Sequence, residues 1–363
     1  MKILDKYLII NFLKPLFYSI VTFAGIMLVT DIFETANTLI SAKVSLSASF
    51  KYFFFKIPQI ITLILPVSVL LATLFSLSKL FFQNEITAMK ANCITVYRIF
   101  APILILTFTL SILNFFWNET IVTRANRITN IIKQTQIKKI NIKYNEAYNI
   151  SIHLSSDQFL KLHYLNKEEN IMENINLLYY TPQSSLKMRI DAKYAKWNDN
   201  KWSFCEGIKR KFNSFGELIS ESQFEKEVIS ISKSPEDILE IVFFERREPE
   251  EISFLSLQKY IAILKKSGSN VTNYLVELHM KLSFPMISFI ISLIGASLAL
   301  LASFRGNIAG FGLSIFISFI YWGTMAVGRS LGRSEILSPF LATWIANFIY
   351  GSLGIYLIIK VKK

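Results

Sequence analysis

The sequence predicts an α-helical membrane protein with six transmembrane helices in two groups of three and an all-β domain inserted between the groups. Two observations predict this fold: six long apolar segments, and a polar stretch of roughly 150 residues with short alternating segments that separates the third from the fourth. The apolar segments cover approximately residues 8–29, 57–78, 99–117, 275–303, 308–327 and 337–359. Each is close to the ~20 residues that an α-helix needs to cross the hydrocarbon core of a bilayer.

The composition supports a membrane protein and argues against a nucleic-acid partner. Hydrophobic residues make up 52% of the chain and charged residues 18%, an apolar surplus that requires lipid cover. The net charge is +13, but residues 118–275 hold 23 basic and 20 acidic residues, so most of the surplus lies beside the apolar segments. Cations at such positions contact anionic headgroups and set the orientation of the helices.

The short loops predict that both termini lie in the cytoplasm and that the inserted domain lies on the opposite side of the membrane. In that orientation the inner side carries nine cations: Lys2, Lys6, Lys79, Lys90, Arg98, Arg305, Lys360, Lys362 and Lys363. The outer short loops carry five: Lys43, Lys51, Lys56, Arg329 and Arg333. The inner excess agrees with the positive-inside rule. Residues 1–14 are expected to lie at the interface as a short amphipathic helix, with Pro15 at the turn into the membrane.

The inserted domain alternates with period two from about residue 148 to residue 232, which predicts short β-strands between polar turns. Strands without intervening helices are typical of an all-β sandwich or roll. Alternation alone predicts that Leu160, Leu162 and Leu178 face the apolar interior of this domain. Residues 124–139 are expected to continue the third membrane helix outward. After the strands, Ser234 and Pro235 have the signals of a helix start. A further amphipathic helix ends at Gly268 and places four apolar residues at helical spacing: Leu257, Tyr260, Ile261 and Leu264.

No catalytic constellation stands out. The chain has no GxxxxGK[ST], HExxH or GxSxG motif, and its three histidines lack metal-site spacing. No cluster of acidic residues lies in the middle of a predicted membrane segment, which argues against a proton-coupled pump. The chain is therefore not expected to be an enzyme, and energy for any transport must come from a partner.

The loop between the second and third apolar segments is the best functional clue. It reads FFQNEITAMKANCITVYRIFAP over residues 81–102. Apolar residues recur in it at helical spacing and predict a short amphipathic helix near residues 84–98: Ile86, Met89, Cys93 and Val96. Such a helix is either a docking surface for a soluble protein or an interfacial helix that rests on lipid.

Several stretches of the chain resemble the LptF/LptG family of lipopolysaccharide-export permeases. They are LDKYL at residues 4–8, ILPVSVLLATLFSLSKLFFQNEITAMKANCITVYRIFAP at residues 64–102, LQKYIAILKKSG at residues 257–268, YLVELHMKLSFPM at residues 274–286 and LSPFLATWIANFIYGSLGIYL at residues 337–357. The likeness covers nearly the whole chain, and the loop is its most specific part. The C-terminal stretch is more similar to the G type than to the F type.

The resemblance implies a function and a set of partners. In that family an F-type and a G-type permease pair in the bacterial inner membrane above a dimer of a cytoplasmic ATPase, and a single-helix C-type subunit associates at the side. Lipopolysaccharide enters a cavity between the permeases and passes into periplasmic β-jellyroll domains that continue into a bridge to the outer membrane. The ATPase binds the ATP, so no cofactor is expected in this chain. The loop helix couples to the ATPase, and the likeness makes Glu85 the expected contact, with Met89 and Arg98 beside it.

Four arginines are predicted to bind the anionic cargo. Arg124 and Arg127, one helical turn apart, lie where the third segment leaves the membrane, and Arg329 and Arg333 lie in the outer loop before the sixth. The planar fork of arginine suits phosphate. Cations at helix ends also commonly contact lipid headgroups without binding any cargo, and this is the alternative for each of the four.

The outer end of the first helix departs from the family's pattern. G-type members carry a basic residue there, whereas this chain has Asp31 and Glu34. An acid at this place would repel phosphate. Either the cargo headgroup is less anionic, or these acids pair with Lys51, Lys56 or a partner chain.

The predicted domains are residues 1–123 with the first three helices and the coupling helix, residues 124–270 with the periplasmic β-jellyroll and its flanking helices, and residues 271–363 with the last three helices. The predicted function is a permease subunit of an ATP-driven lipopolysaccharide exporter. The alternatives are a permease for another envelope glycolipid or for a lipoprotein, and a membrane adaptor that transports nothing. The adaptor hypothesis leaves six spans unexplained, because one span suffices as an anchor.

Overall fold

The structure is a computed structural model that describes residues 3–137, 145–155, 157–181, 185–198, 200–213, 215–229, 231, 233–245, 247, 249–266, 270–301 and 307–361. The chain forms two compact units. The first comprises Met1–Ile140, Ser253–Leu257 and Thr272–Lys363, and the second comprises Asn141–Ile252 and Gln258–Val271. Five residues used in the sequence analysis lie outside the described ranges: Lys2, Gly268, Arg305, Lys362 and Lys363.

The helices follow the predicted order along the chain. They are α1 (Ile3–Ser41), α2 (Leu46–Phe82), α3 (Glu85–Ala91), α4 (Val96–Trp117), α5 (Thr123–Ile132), α6 (Pro235–Glu245), α7 (Phe254–Lys266), α8 (Thr272–Leu301), α9 (Asn307–Arg333) and α10 (Pro339–Val361). A π-helical turn at Asn118–Val122 joins α4 to α5, and a second π-helical turn at Lys133–Ile137 extends α5, so Val96–Ile137 forms one continuous rod. The predicted continuation of the third membrane helix is therefore confirmed as far as Ile137, without regard to the side of the membrane on which it lies.

The first unit is a bundle of membrane-length helices. Among the described residues, five helices are long and apolar enough to cross a membrane: Ile3–Ser41, Leu46–Phe82, Val96–Ile137, Thr272–Leu300 and Pro339–Lys360. The remaining predicted segment lies in α9, a helix of 27 residues that is not among the five. It packs against α2, α8 and α10 within the bundle. A helical membrane protein with an inserted β domain is the architecture that the sequence predicts.

The start of the chain differs from its prediction as a separate interfacial helix. α1 runs without a break from Ile3 to Ser41 and contains Pro15 in its interior. Leu8, Phe12 and Leu16 lie four residues apart on one face and are all buried in the core of the bundle. Because this face continues on both sides of Pro15, packing keeps the helix continuous, and membrane helices tolerate proline for this reason.

Close packing of two helices positions the end of α9. Gly328 and Gly332 form a GxxxG pair that faces Ala342 of α10. A Cβ atom added at Gly328 would lie 2.3 Å from the carbonyl oxygen of Ala342, so no larger residue fits without separating the helices. Small residues at this spacing allow membrane helices to approach closely. The contact fixes the last turns of α9, which carry Arg329 and Arg333.

The second unit contains one six-stranded antiparallel sheet. Its strands are β1 (Glu146–Ser155), β2 (Gln158–Asn166), β3 (Ile171–Tyr180), β4 (Leu186–Asn198), β5 (Lys201–Phe212) and β6 (Leu218–Ile229). The spatial order is the same as the chain order, so the sheet is a meander. Each strand follows its neighbour through a short connection, as antiparallel pairing allows, and the described strands form one sheet. β6 is an edge strand, and nearly all of its residues are exposed or half-buried.

The sheet has a crease that runs across its strands. At the same line, each of β1 to β5 places two consecutive residues outside the buried face, where strict alternation would place one. Asn149, Asn174 and Glu206 lie on this line in the left-handed region, with φ of 52°, 49° and 52°. The extra residue in β3 moves Leu177 to the buried face and Leu178 to the other face. Alternation alone, which would put Leu178 inward, therefore fails beyond the crease.

The helices of the second unit begin and pack as the sequence predicts. Before α6, Ser234 Oγ accepts a hydrogen bond from the backbone N–H of Asp237, and the Asp237 carboxylate accepts one from the backbone N–H of Ser234. This reciprocal arrangement is a capping box. The four apolar residues that define the amphipathic face of α7 are buried: Leu257, Tyr260, Ile261 and Leu264.

Candidate functional site

The loop between α2 and α4 is a compact turn–helix–turn. Its helix, α3, covers seven residues, and Asn84 and Cys93 on either side of it have left-handed backbones, with φ of 58° and 60°. Ile86 is buried in the core of the bundle and Met89 packs against it. The helix is thus shorter than the predicted span of residues 84–98, because the chain turns at Cys93 to enter α4. α3 is seated on the bundle by its apolar face.

Two polar contacts connect this loop to the start of α1. The Tyr7 hydroxyl lies 2.9 Å and 2.8 Å from the two carboxylate oxygens of Glu85 and donates its hydrogen bond to them. The Arg98 guanidinium lies 2.6 Å from the Asp5 carboxylate. We call these four side chains the loop cluster. Three of its members are charged, two acids and one base, so the cluster has a formal charge of −1.

A second polar cluster joins α8 and α9. The Glu277 carboxylate accepts two hydrogen bonds from Arg329, at 2.8 Å and 2.6 Å, and one from Arg333 at 2.6 Å. Only 8% of the Glu277 side chain is exposed, against 31% and 47% of the two arginine side chains. We call these three residues the arginine cluster. One acid and two bases give these three side chains a formal charge of +1, and the two arginines are the more exposed members.

The arginine cluster borders a cavity of about 570 Å³ within the first unit. Met280, Phe284, Trp322 and Met325 form an apolar wall, and Arg329 and Arg333 lie at one part of the lining. A cavity with an apolar wall and cations at its rim suits an amphiphile, because acyl chains and an anionic headgroup require opposite surroundings. The structure thus brings two of the four predicted cargo residues together at a cavity.

The other two predicted cargo residues lie on α5. Arg124 and Arg127 are both exposed, while Thr123, Ala125 and Asn126 between and beside them are buried. Within the part of the chain that the structure describes, neither arginine forms an ion pair. Because the two arginines are three positions apart on one helix, both guanidinium groups can lie on the same face of that helix.

The acid at the outer end of α1 has a partner within the chain. Asp31 pairs with Lys56 of α2, and the Lys56 ammonium also lies 5.5 Å from the centroid of the Tyr52 ring. Of the alternatives that the sequence leaves open, pairing with Lys56 is therefore the one observed for Asp31. The pair is neutral as a whole, so Asp31 does not present a net negative charge at this end of the bundle.

The two clusters lie at opposite ends of the bundle. Arg98 lies in the first turn of α4, and Glu119 follows the end of α4 on the same continuous rod, so about 30 Å of helix separates them. Glu119 is 3.4 Å from Lys281 on α8, one turn from Glu277. Each cluster is therefore available to a different kind of partner.

Three residues of these clusters were not predicted from the sequence: Asp5, Tyr7 and Glu277. Glu277 is the only acid within α8, and an acid in an apolar helix is a signal that a paired cation is needed. The arginines at i and i+4 on α9 match that signal. Asp5 and Tyr7 carry no comparable signal. Among the described residues, no group of three or more histidine, cysteine, aspartate or glutamate side chains could hold a metal ion.

Comparison with known proteins gives one match. The family model described as lipopolysaccharide export system permease LptF/LptG matches residues 6–360, nearly the whole chain. The matched range includes the α2–α4 loop, both groups of arginines and the inserted sheet. No curated protein matches the chain.

Proposed function

Because the chain belongs to the LptF/LptG family of lipopolysaccharide export permeases, we propose that it is one of two paired permease subunits that extract lipopolysaccharide from the inner membrane at the expense of ATP hydrolysed by a partner. The observation that carries this proposal is the family match over residues 6–360. The likeness of the C-terminal stretch favours the G-type subunit. The chain is an integral inner-membrane protein and not itself the catalyst.

The cargo is proposed to bind at the end of the bundle that carries the arginine cluster. Arg329 and Arg333 contact the anionic headgroup, while the apolar wall of Met280, Phe284 and Trp322 contacts acyl chains. Arg124 and Arg127 contact the phosphates as the lipid leaves the bilayer. A second permease encloses the remainder of a lipid that is larger than the cavity of one subunit.

Coupling to ATP hydrolysis is proposed to occur at the opposite end. A dimer of a cytoplasmic ATPase docks at α3, where Glu85, Met89 and Arg98 form the contact region, and ATP is bound there and not by this chain. A single-helix C-type subunit associates at the side. The Glu85 carboxylate supports a cation on the partner surface, because complementary charges favour docking.

The orientation is proposed from the loop cations, with both termini in the cytoplasm and the sheet in the periplasm. The apolar face of the sheet then receives the acyl chains, and the exposed edge strand β6 continues into the periplasmic bridge. An unpaired edge supports this, because it offers backbone hydrogen bonds to a further strand.

The experiment reconstitutes the chain with its partner permease and ATPase in liposomes that contain lipopolysaccharide, with photo-crosslinkers at single positions of the sheet. Leu160, Leu162 and Leu177 lie on the buried face and are expected to capture lipid only when ATP is supplied. Leu178 is the matched control, since it neighbours Leu177 and lies on the other face. Lipid-free crosslinkers at all of these positions during ATP hydrolysis would favour the adaptor. Capture of a different glycolipid or of a lipoprotein would assign another cargo.

A further inference from the structure

The two charged residues of the proposed ATPase contact are both bound by the first two turns of α1. Glu85 accepts the hydrogen bond of Tyr7, 78 residues away in the chain, and Arg98 pairs with Asp5. The Asp5 side chain is 16% exposed and the Arg98 side chain 37%, so this pair is partly shielded from water. Hydrogen bonds between charged groups are stronger than those between neutral ones.

The hydrogen bond from Tyr7 leaves Glu85 able to bind a second group. One hydroxyl supplies one proton, and an ionised carboxylate offers about four acceptor positions. Tyr7 therefore orients the carboxylate without saturating it. A cation on a docked protein can bind Glu85 at the same time, and the hydroxyl then limits the directions in which the acid can face.

The start of α1 is itself firmly attached to the bundle. Leu8 and Phe12, on the turns that follow Asp5 and Tyr7, are fully buried in the same core as Ile86 of α3. A displacement of α3 is therefore applied to α1 through both apolar and polar contacts. The left-handed turns at Asn84 and Cys93 separate α3 from the regular parts of α2 and α4.

We propose that Asp5 and Tyr7 are positioning residues that hold Arg98 and Glu85 in place, and that Tyr7 passes a movement of α3 directly to α1. The transmission to an ATPase rests on the proposed function, whereas the restraint of α3 does not. α1 thus receives a movement of α3 directly through Tyr7, while the Asp5–Arg98 pair holds α1 to the first turn of α4.

The restraint is tested on the full chain in nanodiscs without any partner. Cys93 is exposed beside α3 and accepts a nitroxide label after Cys205→Ser removes the other cysteine. Tyr7→Phe removes only the hydroxyl, and Asp5→Asn removes only the charge. Both changes are expected to increase label mobility. The population in which α3 is released from α1 should rise roughly tenfold, because the free energy of a hydrogen bond to a charged group corresponds to about that change in an equilibrium constant. Tyr18→Phe is the matched control on α1, since Tyr18 is 68% exposed.

The transmission is tested by a double-mutant cycle in the reconstituted exporter. Tyr7→Phe and Glu85→Gln are each expected to lower the lipopolysaccharide exported per ATP hydrolysed. The double variant should equal Glu85→Gln alone, because the hydroxyl acts through that carboxylate. A purely structural tyrosine would give additive losses.

Several results would overturn the proposal. If label mobility is unchanged in both variants and the unmodified exporter is active, the restraint of α3 is contradicted and the proposed function is not. Additive losses in the cycle remove the transmission. Higher export per ATP in Tyr7→Phe would mean that the hydroxyl inhibits coupling. An unmodified complex without lipid-stimulated ATP hydrolysis would instead contradict the proposed function, and the transmission with it.

Discussion

The loop cluster and the arginine cluster both contain acids and arginines, but in opposite proportions. The loop cluster has two acids and one arginine, and a tyrosine hydroxyl donates a hydrogen bond to one of the acids. The arginine cluster has one acid and two arginines, with the acid buried and the arginines nearer the surface. In both clusters the internal contacts orient the charged side chains.

This difference separates two functions on one bundle. The Glu85 carboxylate suits a cation on a protein surface, and two arginines beside an apolar cavity suit an anionic lipid. The ends are about 30 Å apart along α4, farther than the ~8 Å over which salt screens exposed charges. Substitutions at one end should therefore leave binding at the other end unchanged, and the predictions below depend on that separation.

The largest effect is expected at the exit from the membrane. Replacing Arg124 and Arg127 together by Glu inverts the charge that meets the phosphates and should nearly abolish export, with membrane insertion intact. Replacing both by Lys keeps the charge, loses the fork geometry and should cause only a small loss. The same series at Lys43, which lies in the turn after α1, is the control and should do little. The measurement is export of radiolabelled lipopolysaccharide from proteoliposomes to a periplasmic acceptor.

The double-Glu variant also tests whether these arginines only anchor the helix. Headgroup anchors would leave export at the level of the unmodified protein. ATPase docking should be unaffected in either case, because α3 lies at the other end.

The next largest effect is expected at Glu85. Glu85→Lys reverses a charge at the proposed ATPase contact and should weaken docking by about 2–5 kcal/mol, and Glu85→Ala should weaken it less. Gln83→Ala, in the exposed turn before α3, is the matched control. Co-purification of the ATPase subunit and lipid-stimulated ATP hydrolysis are the measurements. If both variants dock and hydrolyse as the unmodified protein does, Glu85 has no part in coupling.

Smaller effects are expected at Glu277, where affinity for lipid and stability should change in opposite directions. Glu277→Gln keeps the shape of the arginine cluster and raises its charge from +1 to +2, so affinity for anionic lipid should rise. Stability should fall by about 1–3 kcal/mol, because a buried carboxylate that satisfies two arginines is lost. Lipid binding in nanodiscs and thermal unfolding measure the two changes, with the exposed Glu34→Gln as control. A fall in both quantities would show that Glu277 organises the cavity and that its charge is unimportant.

Much of the fold could be predicted because its signals are local. Apolar length identifies the membrane helices, period-two alternation identifies the strands, and the capping box before α6 lies within four residues. Rules based on single residues failed where the packing of the folded chain determines the local structure. Pro15 does not end α1 because its buried face continues, and Leu178 lies on the unexpected face because Asn174 adds a residue in the left-handed region.

The clusters could be predicted only in part, because their pairs are distant in sequence. Arg329 and Arg333 stood out by their spacing, but their acid is 52 and 56 residues away. Tyr7 lies 78 residues from Glu85, and nothing in the pattern of α1 indicates that it faces the loop. The pairing of Asp31 was open to prediction, because few cations are available at that end and Lys56 is one of them.

The smallest effect is expected from the Asp31–Lys56 pair, and its sign is opposite to that at Glu277, because here a positive charge is removed. Lys56→Gln leaves the Asp31 charge uncompensated near the lipid end, so affinity for anionic lipid should fall a few-fold. The cost in stability should be about 0.5–1 kcal/mol, because both side chains are partly exposed. Lys51→Gln removes the same charge from a neighbouring exposed position and should change affinity less. The double variant Asp31→Asn, Lys56→Gln should recover the affinity, since the unpaired acid is gone. If Lys51→Gln and Lys56→Gln lower affinity equally, the lipid senses only total charge, and the Asp31–Lys56 pair has no role of its own.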